Sequence, residues 1–499
     1  MNRFLRSLTL ARLLTLVAFI AVFAMAFRTP LDTDTLWHLR AGQWQVEHRA
    51  LLRTDLFSHT RAGEPWVNHS WGAQLLLYGA YAALGDPGLA LYTALLAVLG
   101  MAFVWPQLRG NAAVRAFTLV LAAASAAVFW SARPQMISFA LSAVVLCLLW
   151  RWREEGVDRL WFIPPLVALW ANLHGGFAIA FILIVLTLIG DVARWLFEDV
   201  IGGSRPAGER ALDGLRPALR LVVVGLVAAA AVSLNPYGPK MLLYPFRTVG
   251  IGVLQDFIQE WASPNFHGAE TWPFIWLLLG TLAVVGFSGR KLDWRDAALV
   301  GGTAYSALLA GRNIATFAIV AAPVFALHLG AWLDALGVRL RLERRPRGVF
   351  LAANWLIALL VVGAGLGKAA LAVDPATIEE ARQAGLPVAA AEALEEIDPP
   401  GALFNSYNWG GYLIWQARDF PVYVDGRTDL YDDELLRVYL NTYFAQDGWA
   451  ENLAGAGINT VLVERGSPLA VALGLTDGWA LAYEDDIARL YVREVPLGD

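Results

Sequence analysis

Residues 31–71 read LDTDTLWHLRAGQWQVEHRALLRTDLFSHTRAGEPWVNHSW, between the first apolar run of the chain and the second. These forty-one residues hold Asp32, Asp34 and Asp55, four of the seven histidines (His38, His48, His59, His69) and the tryptophans Trp37, Trp44, Trp66 and Trp71. A connector between two membrane helices needs neither the acids nor the histidines. Carboxylates beside histidines and aromatic faces are what acid–base or metal chemistry on a sugar or phosphate uses. The plainer reading is a folded polar loop whose tryptophans lie at the lipid headgroups. The rest of the chain favours the first reading.

With 499 residues, 57% hydrophobic and 16% charged, the chain has the composition of a polytopic membrane protein. Its 21 tryptophans suit extensive surface at lipid–water boundaries. A net charge of −5 suggests no nucleic-acid partner. The one cysteine, Cys147, lies in an apolar run, so there is no disulfide framework. Arg3, Arg6 and Arg12 precede Leu13–Phe27, but no small-residue cleavage motif follows, so an uncleaved first helix is expected. About eleven apolar runs are candidate spans: Leu8–Phe27, Gly88–Trp105, Val114–Trp130, Met136–Trp150, Leu160–Trp170, Phe177–Leu196, Leu219–Leu234, Trp272–Phe287, Ala297–Ala310, Ile314–Leu333 and Phe350–Leu371. Trp71–Leu84, cut off by Gly85-Asp86-Pro87-Gly88, reads as a surface helix.

Arginine-rich connectors alternate along the chain: Arg109 and Arg115; Arg151, Arg153 and Arg159; Arg194 to Arg220; Arg290, Lys291 and Arg295; and Arg339 to Arg347. The alternation places these inside, the N-terminus inside, and the remaining loops outside. The opening loop is the exception, with five arginines from Arg28 balanced by five acids. The outer set then contains loop 28–71, Arg133, His174, loop 235–271 with Asp256 and Glu260, Arg312, and the whole tail. Polar residues gathered on one face fit a site that opens outward. Singly they are weak signals: Arg133 also reads as a helix cap, His174 as a turn histidine beside two glycines, and Asp256, Glu260 and Trp261 as a solvated helix face. Arg312 interrupts an apolar stretch and needs an anionic partner, either a lipid phosphate or an Asp of the first loop.

The expected domains are a transmembrane part, residues 1–373, and an external α/β domain, residues 374–499. In the tail, Pro375–Glu396, Leu430–Phe444 and Trp449–Ala456 read as helices; Ala402–Phe404, Val422–Val424, Thr460–Val463, Ala480–Tyr483 and Ala488–Val492 read as strands. Two polar runs follow predicted strands, Phe404–Tyr412 (FNSYNWGGY) and Val424–Tyr431 (VDGRTDLY). That places Tyr407, Trp409, Tyr412, Asp425 and Arg427 at the carboxyl edge of the sheet, where open α/β sheets take ligands. Turn chemistry with a tryptophan packed on a surface is the plainer alternative.

The fold class is therefore a polytopic α-helical membrane protein with a soluble C-terminal α/β domain. The layout resembles the GT-C superfamily of integral membrane glycosyltransferases, which use polyprenyl-phosphate-linked sugars. In that superfamily an acidic, DxD-like motif follows the first membrane helix; Asp32-Thr33-Asp34 occupies that place here. DTDTLWH, LLRTDLFSHT and EPWVNHSW look like a bacterial branch of predicted members. Tyr407–Tyr412, followed by VDGRT, sits where oligosaccharyltransferases carry a WWDYG-type acceptor motif, but the paired tryptophans and following acid are absent. A peptide acceptor is therefore not implied.

The resemblance implies transfer of a sugar from a lipid phosphate in the plasma membrane to an envelope acceptor on the external face. An anomeric carbon that becomes cationic needs a carboxylate to take the acceptor proton and cations to hold the phosphate. Asp32 or Asp34 is the expected base, and both are candidate ligands for Mg or Mn; His38, four residues on, is a further catalytic candidate. His69, Arg133, His174, Asp256, Glu260, Arg312, Tyr407, Trp409, Tyr412, Asp425 and Arg427 are the expected substrate-side residues. Direct transfer through a base predicts inversion. The rivals are a transporter or flippase of lipid-linked glycans, and a non-catalytic component of an envelope polysaccharide complex. A glycan polymerase is a near neighbour of the main reading. Membrane lipids are implied partners throughout.

Overall fold

The computed structural model of the chain describes residues 8–202, 216–249, 252, 260–338, 340, 342–344 and 346–495. Each of the eleven apolar runs is a helix. Seven are long and apolar enough to cross a membrane: Asp86–Gln107, Ala112–Phe129, Gln135–Glu154, Gly175–Ile201, Ala269–Phe287, Gly311–Ala335 and Val349–Ala372. The other four, Leu10–Ala26, Leu160–Ala171, Arg216–Val232 and Trp294–Leu309, are shorter. Helix starts follow local chemistry. The hydroxyl of Thr9, the amide oxygen of Asn111 and the carboxylate of Asp293 each accept a backbone N–H of the first turn. Proline stands in the first turn of Ile163–Ala171 and of Trp272–Phe287, where its missing N–H costs nothing.

Packing divides the chain into two compact units in an order the sequence does not follow. The first holds Met1–Arg28, Ala90–Leu243 and Ile258–Leu371 and is the helical bundle. The second holds Thr29–Leu89, Tyr244–Phe257 and Ala372–Asp499, so the opening loop folds with the tail. This unit has a mixed four-stranded sheet of β1 (Ala402–Asn405), β2 (Ile458–Glu464), β3 (Trp479–Glu484) and β4 (Ala488–Arg493), in the order β1-β2-β4-β3. β1 and β2 are parallel; β2–β4 and β4–β3 are antiparallel.

Alternate residues of these strands feed two cores, because successive side chains point to opposite faces. Phe404, Val461, Val463 and Tyr491 pack with Tyr423, Tyr431 and Tyr439 on one face. Leu403, Leu462 and Leu490 pack on the other with Trp409, Tyr412 and Leu413, and this second core is completed by Trp37, Leu52, Phe57 and Trp66 of the opening loop. Trp37 and Trp66 are therefore core residues rather than headgroup anchors. Each such ring buries on the order of 150–250 Å², worth about 4–6 kcal/mol at ~25 cal/mol per Å² before entropy is set against it.

Three predictions in the tail need correction. The stretch Pro375–Glu396 is two helices, Pro375–Gly385 and Val388–Ile397, because Pro387 cannot continue the first. Val422–Val424 is no strand of the sheet; Val422 makes a single parallel bridge to Ser58 of the opening loop. The helix expected from Leu430 begins at Asp433, because the Asp432 carboxylate accepts the Leu435 N–H and fixes the start there. Trp71–Leu84 is a helix, as expected, and packs on Thr33–His48 within the second unit.

Candidate functional site

The candidate residues fall into two groups, one in each unit. In the second unit the Asp32 carboxylate caps the helix Thr33–His48, accepting the Asp34 N–H at 3.0 Å. Asp34 thus lies in the first turn, where the helix dipole favours an anion. One turn on, the Trp37 indole N–H donates to Asp34 Oδ1 at 3.1 Å. Gly426 closes the arrangement: a Cβ there would lie 1.8 Å from Asp34 Oδ1. Gly411 does the same for the backbone, since its Cβ would lie 2.2 Å from the Thr33 carbonyl oxygen. The glycines of the two tail motifs let the tail backbone close on the turn that carries Asp34.

Asp425 and Arg427, on either side of Gly426, are wholly buried. The Arg427 guanidinium donates to both Asp425 oxygens, at 2.8 and 2.7 Å, and to Asp55 Oδ1 at 2.6 Å. Asp55 also accepts the Ser58 hydroxyl, and Asp425 the Tyr431 hydroxyl. Phe57 and Trp66 lie at 5.1 Å from the guanidinium. Burial would lower the Arg427 pKa, but Asp425 and then its other neighbours hold it well above the ordinary value. The expected substrate contacts of Asp425 and Arg427 give way to this sealed ion cluster, which clamps the loop around Gly426. Trp409 and Tyr412 likewise sit in the core, 5% and 7% exposed, and Tyr407 donates its backbone N–H to the Tyr439 hydroxyl.

His38 follows Asp34 by one helical turn, and the Trp37 indole between them donates to the Asp34 carboxylate. His38 is buried, with its Nδ1 at 3.4 Å from the Gln74 amide nitrogen, in a network of Asn68, Gln45 and Gln74 side chains. His69 is nearer the surface; its Nδ1 lies 2.6 Å from the Tyr244 hydroxyl, with the rings stacked at 4.5 Å. Asp429 stands 3.8 Å from the same nitrogen. Tyr244 and Asp429 are site neighbours that sequence spacing did not single out, although Asp429 lies in the polar run quoted above. Among the described residues no three His, Cys, Asp or Glu side chains gather as a metal site.

In the first unit, Arg133 and Arg312 both meet Glu260, one at its carboxylate and the other at its backbone carbonyl. Arg133 donates to Glu260 Oε1 at 2.5 Å, and the Arg312 N–H donates to the Glu260 carbonyl at 3.1 Å. The Arg312 guanidinium lies over the Trp261 ring at 4.1 Å. Burial would raise the Glu260 carboxyl, but Arg133 and then Arg312 outweigh it and keep its pKa below the usual range. His174 packs on the first turn of Gln135–Glu154, the helix that Arg133 precedes. Trp170 donates to Ser138 Oγ at 2.7 Å, so the Ser138 proton goes to His174 Nδ1 at 2.6 Å. The Gly176 N–H also donates to Nδ1, so the neutral ring carries its proton on Nε2. Asp256 lies outside the described residues.

No protein-family profile matches the sequence, and no curated protein sequence does. Solved structures match in fold. The apo oligosaccharyltransferase of Archaeoglobus fulgidus gives a TM-score of 0.52 at 13% identity, covering 91% of this chain and 69% of that one. Apo ArnT of Cupriavidus metallidurans gives 0.50 at 12% identity, covering 96% and 97%. The same ArnT bound to undecaprenyl phosphate gives 0.48 at 13% identity over the same shares. Both proteins are GT-C glycosyltransferases. At such identities the likeness is one of fold: this chain is a membrane protein with the GT-C fold, a bundle of apolar helices joined to a small α/β domain.

Proposed function

We propose that the protein is a membrane glycosyltransferase that moves a sugar from a polyprenyl-phosphate-linked donor to an envelope acceptor, with inversion, on the external face of the membrane. The observation that carries this reading is the placement of Asp34. Its carboxylate stands in the first turn of the helix after the first span, turned by Trp37 and confined by Gly426. A base held this way loses little orientational freedom when it takes the acceptor proton.

Asp32 is assigned a different role from Asp34. Its carboxylate is spent on the cap, so it shapes the turn. Arg133, Arg312 and His174 are assigned to the donor phosphate, since guanidinium groups match phosphate oxygens and the His174 Nε2–H is a fixed donor. Glu260 holds Arg133 through its carboxylate and the Arg312 backbone through its carbonyl, with Trp261 under the Arg312 guanidinium. Were Mg or Mn bound, Asp34 and oxygens of the substrate phosphate would hold it, and it would neutralise phosphate charge there. The orientation follows the arginine-rich connectors, with the N-terminus cytoplasmic and the tail external.

The test is sugar transfer by the purified protein from a panel of radiolabelled polyprenyl-phosphate sugars, with and without Mg or Mn, beside Asp34→Asn. Labelled product from wild type alone supports the proposal. Tight donor binding without turnover in any acceptor mix would favour a lipid-glycan transporter, and no donor binding would favour a non-catalytic component.

A further inference from the structure

Two cations meet at the end of the first helix with no carboxylate between them. Leu10–Ala26 stops at Phe27, and its last carbonyls have no partner within the helix. Lys368, on the final span Val349–Ala372, donates its ammonium to the carbonyl oxygens of Ala24 and Phe27. Arg28 donates its Nε–H to the Met25 carbonyl at 2.6 Å. Gly365 brings the two helices together one turn before Lys368: it is buried, and a Cβ there would stand 3.0 Å from Ile20 Cγ2.

Capping the helix leaves most of both groups unused. An ammonium has three N–H donors and a guanidinium five. Two of the three and one of the five serve the carbonyls, which leaves one N–H on Lys368 and four on Arg28. The charge is unbalanced as well. A helix C-terminus carries about half a negative charge, against two full positive ones here. Among the described residues, the charge that reaches Lys368 is that of Arg28, and no carboxylate acts on either.

The pair lies at the depth of a lipid head. Val349–Ala372 has 24 residues, which at 1.5 Å each span about 36 Å, against about 30 Å of hydrocarbon. Lys368 is four residues from its end, so its long stem carries the ammonium to the headgroup boundary. Inward from Lys368, Ala364, Leu360 and Ile357 follow at helical spacing, and all three are exposed. A phosphodiester offers oxygens to the Arg28 fork and to the remaining Lys368 N–H. An ammonium on the same head would add a third cation with no carboxylate to receive it. We propose that Arg28 and Lys368 hold the phosphate of one anionic phospholipid of the phosphatidylglycerol type, its acyl chain lying along Ala364, Leu360 and Ile357. The proposal is independent of the transferase reading.

The test is lipid retention by the full chain, purified in detergent and read by native mass spectrometry. The probes are dioleoyl-phosphatidylglycerol, -phosphatidylethanolamine and -phosphatidylcholine, with sodium phosphate as a competitor that lacks acyl chains. A cation at a membrane surface favours an anionic lipid about fivefold, so the two together should give phosphatidylglycerol about a 25-fold preference. Arg28→Gln, which leaves the Lys368 cap in place, should cut that preference about fivefold, and Arg28→Gln with Lys368→Gln should abolish it. Arg465→Gln, which removes one positive charge from the tail, should leave it unchanged. Equal retention of the three lipids, a wild-type preference in Arg28→Gln, or competition by sodium phosphate would overturn the proposal. Displacement of phosphatidylglycerol by an equal concentration of a polyprenyl phosphate would overturn it too, by giving the pair to the sugar donor.

Discussion

Arg427 shows how much of the second unit depends on single side chains. It is fully buried, bonded to Asp425 and Asp55, and stacked near two rings. Removing one partner of a buried ion cluster strands the others, at a cost of about 3–5 kcal/mol. Arg427→Met should therefore destabilise the second unit by that amount in denaturant unfolding; a loss under about 1 kcal/mol would mean that the cluster is hydrated. His59 gives a pH signature. Burial lowers its pKa below the usual value, against the opposing effect of the Leu403 carbonyl, which lies 2.9 Å from Nε2. Below about pH 6.5 the unfolded chain takes up a proton that the folded chain refuses. Stability is thus complete above that pH and falls as pH drops towards the folded pKa. The melting temperature should fall more steeply between about pH 7.5 and 5.5 in wild type than in His59→Gln; parallel curves would remove His59 as the cause.

At the scale of elements, the helix Thr33–His48 and the loop around Gly426 act as a fixed pair. A methyl group at Gly426 cannot fit beside Asp34 Oδ1 unless the carboxylate turns away. Gly426→Ala should lower kcat about 10²-fold or more, as misplacing a catalytic group by about 1 Å does, with a smaller change in KM and in melting temperature. A loss of kcat matched by a loss of fold would reduce Gly426 to a structural residue. Sequence periodicity revealed the elements better than their meeting. The apolar runs became helices because length and composition decide a span, and four strands of the tail stood where β-branched and aromatic residues cluster. The contact of Gly426 with Asp34 joins residues almost four hundred apart in the chain, and no local pattern encodes it. The glycine in VDGR did carry a signal of close backbone approach, while the neighbouring Asp425 and Arg427 read as ligands because sequence alone cannot show that they neutralise each other with Asp55.

For the whole molecule, the opening loop and the tail share one core, so neither should hold its structure alone. A chain ending at residue 373 loses Trp409, Tyr412, Leu403 and Leu462 from around Trp37 and Trp66. Limited proteolysis of that truncated protein should cut within residues 49–66, which full-length protein should protect; equal protection would show that the loop folds by itself. The account as a whole turns on one carboxylate doing the chemistry and its neighbour shaping the turn. The most direct measurement is kcat for sugar transfer by Asp34→Asn and Asp32→Asn beside wild type, with the best polyprenyl-phosphate sugar donor. Asn caps a helix about as well as Asp, so Asp32→Asn should retain activity within about tenfold, whereas Asp34→Asn should lose about 10²–10⁴-fold as a missing general base does. Equal losses in the two variants, or an active Asp34→Asn, would contradict the account.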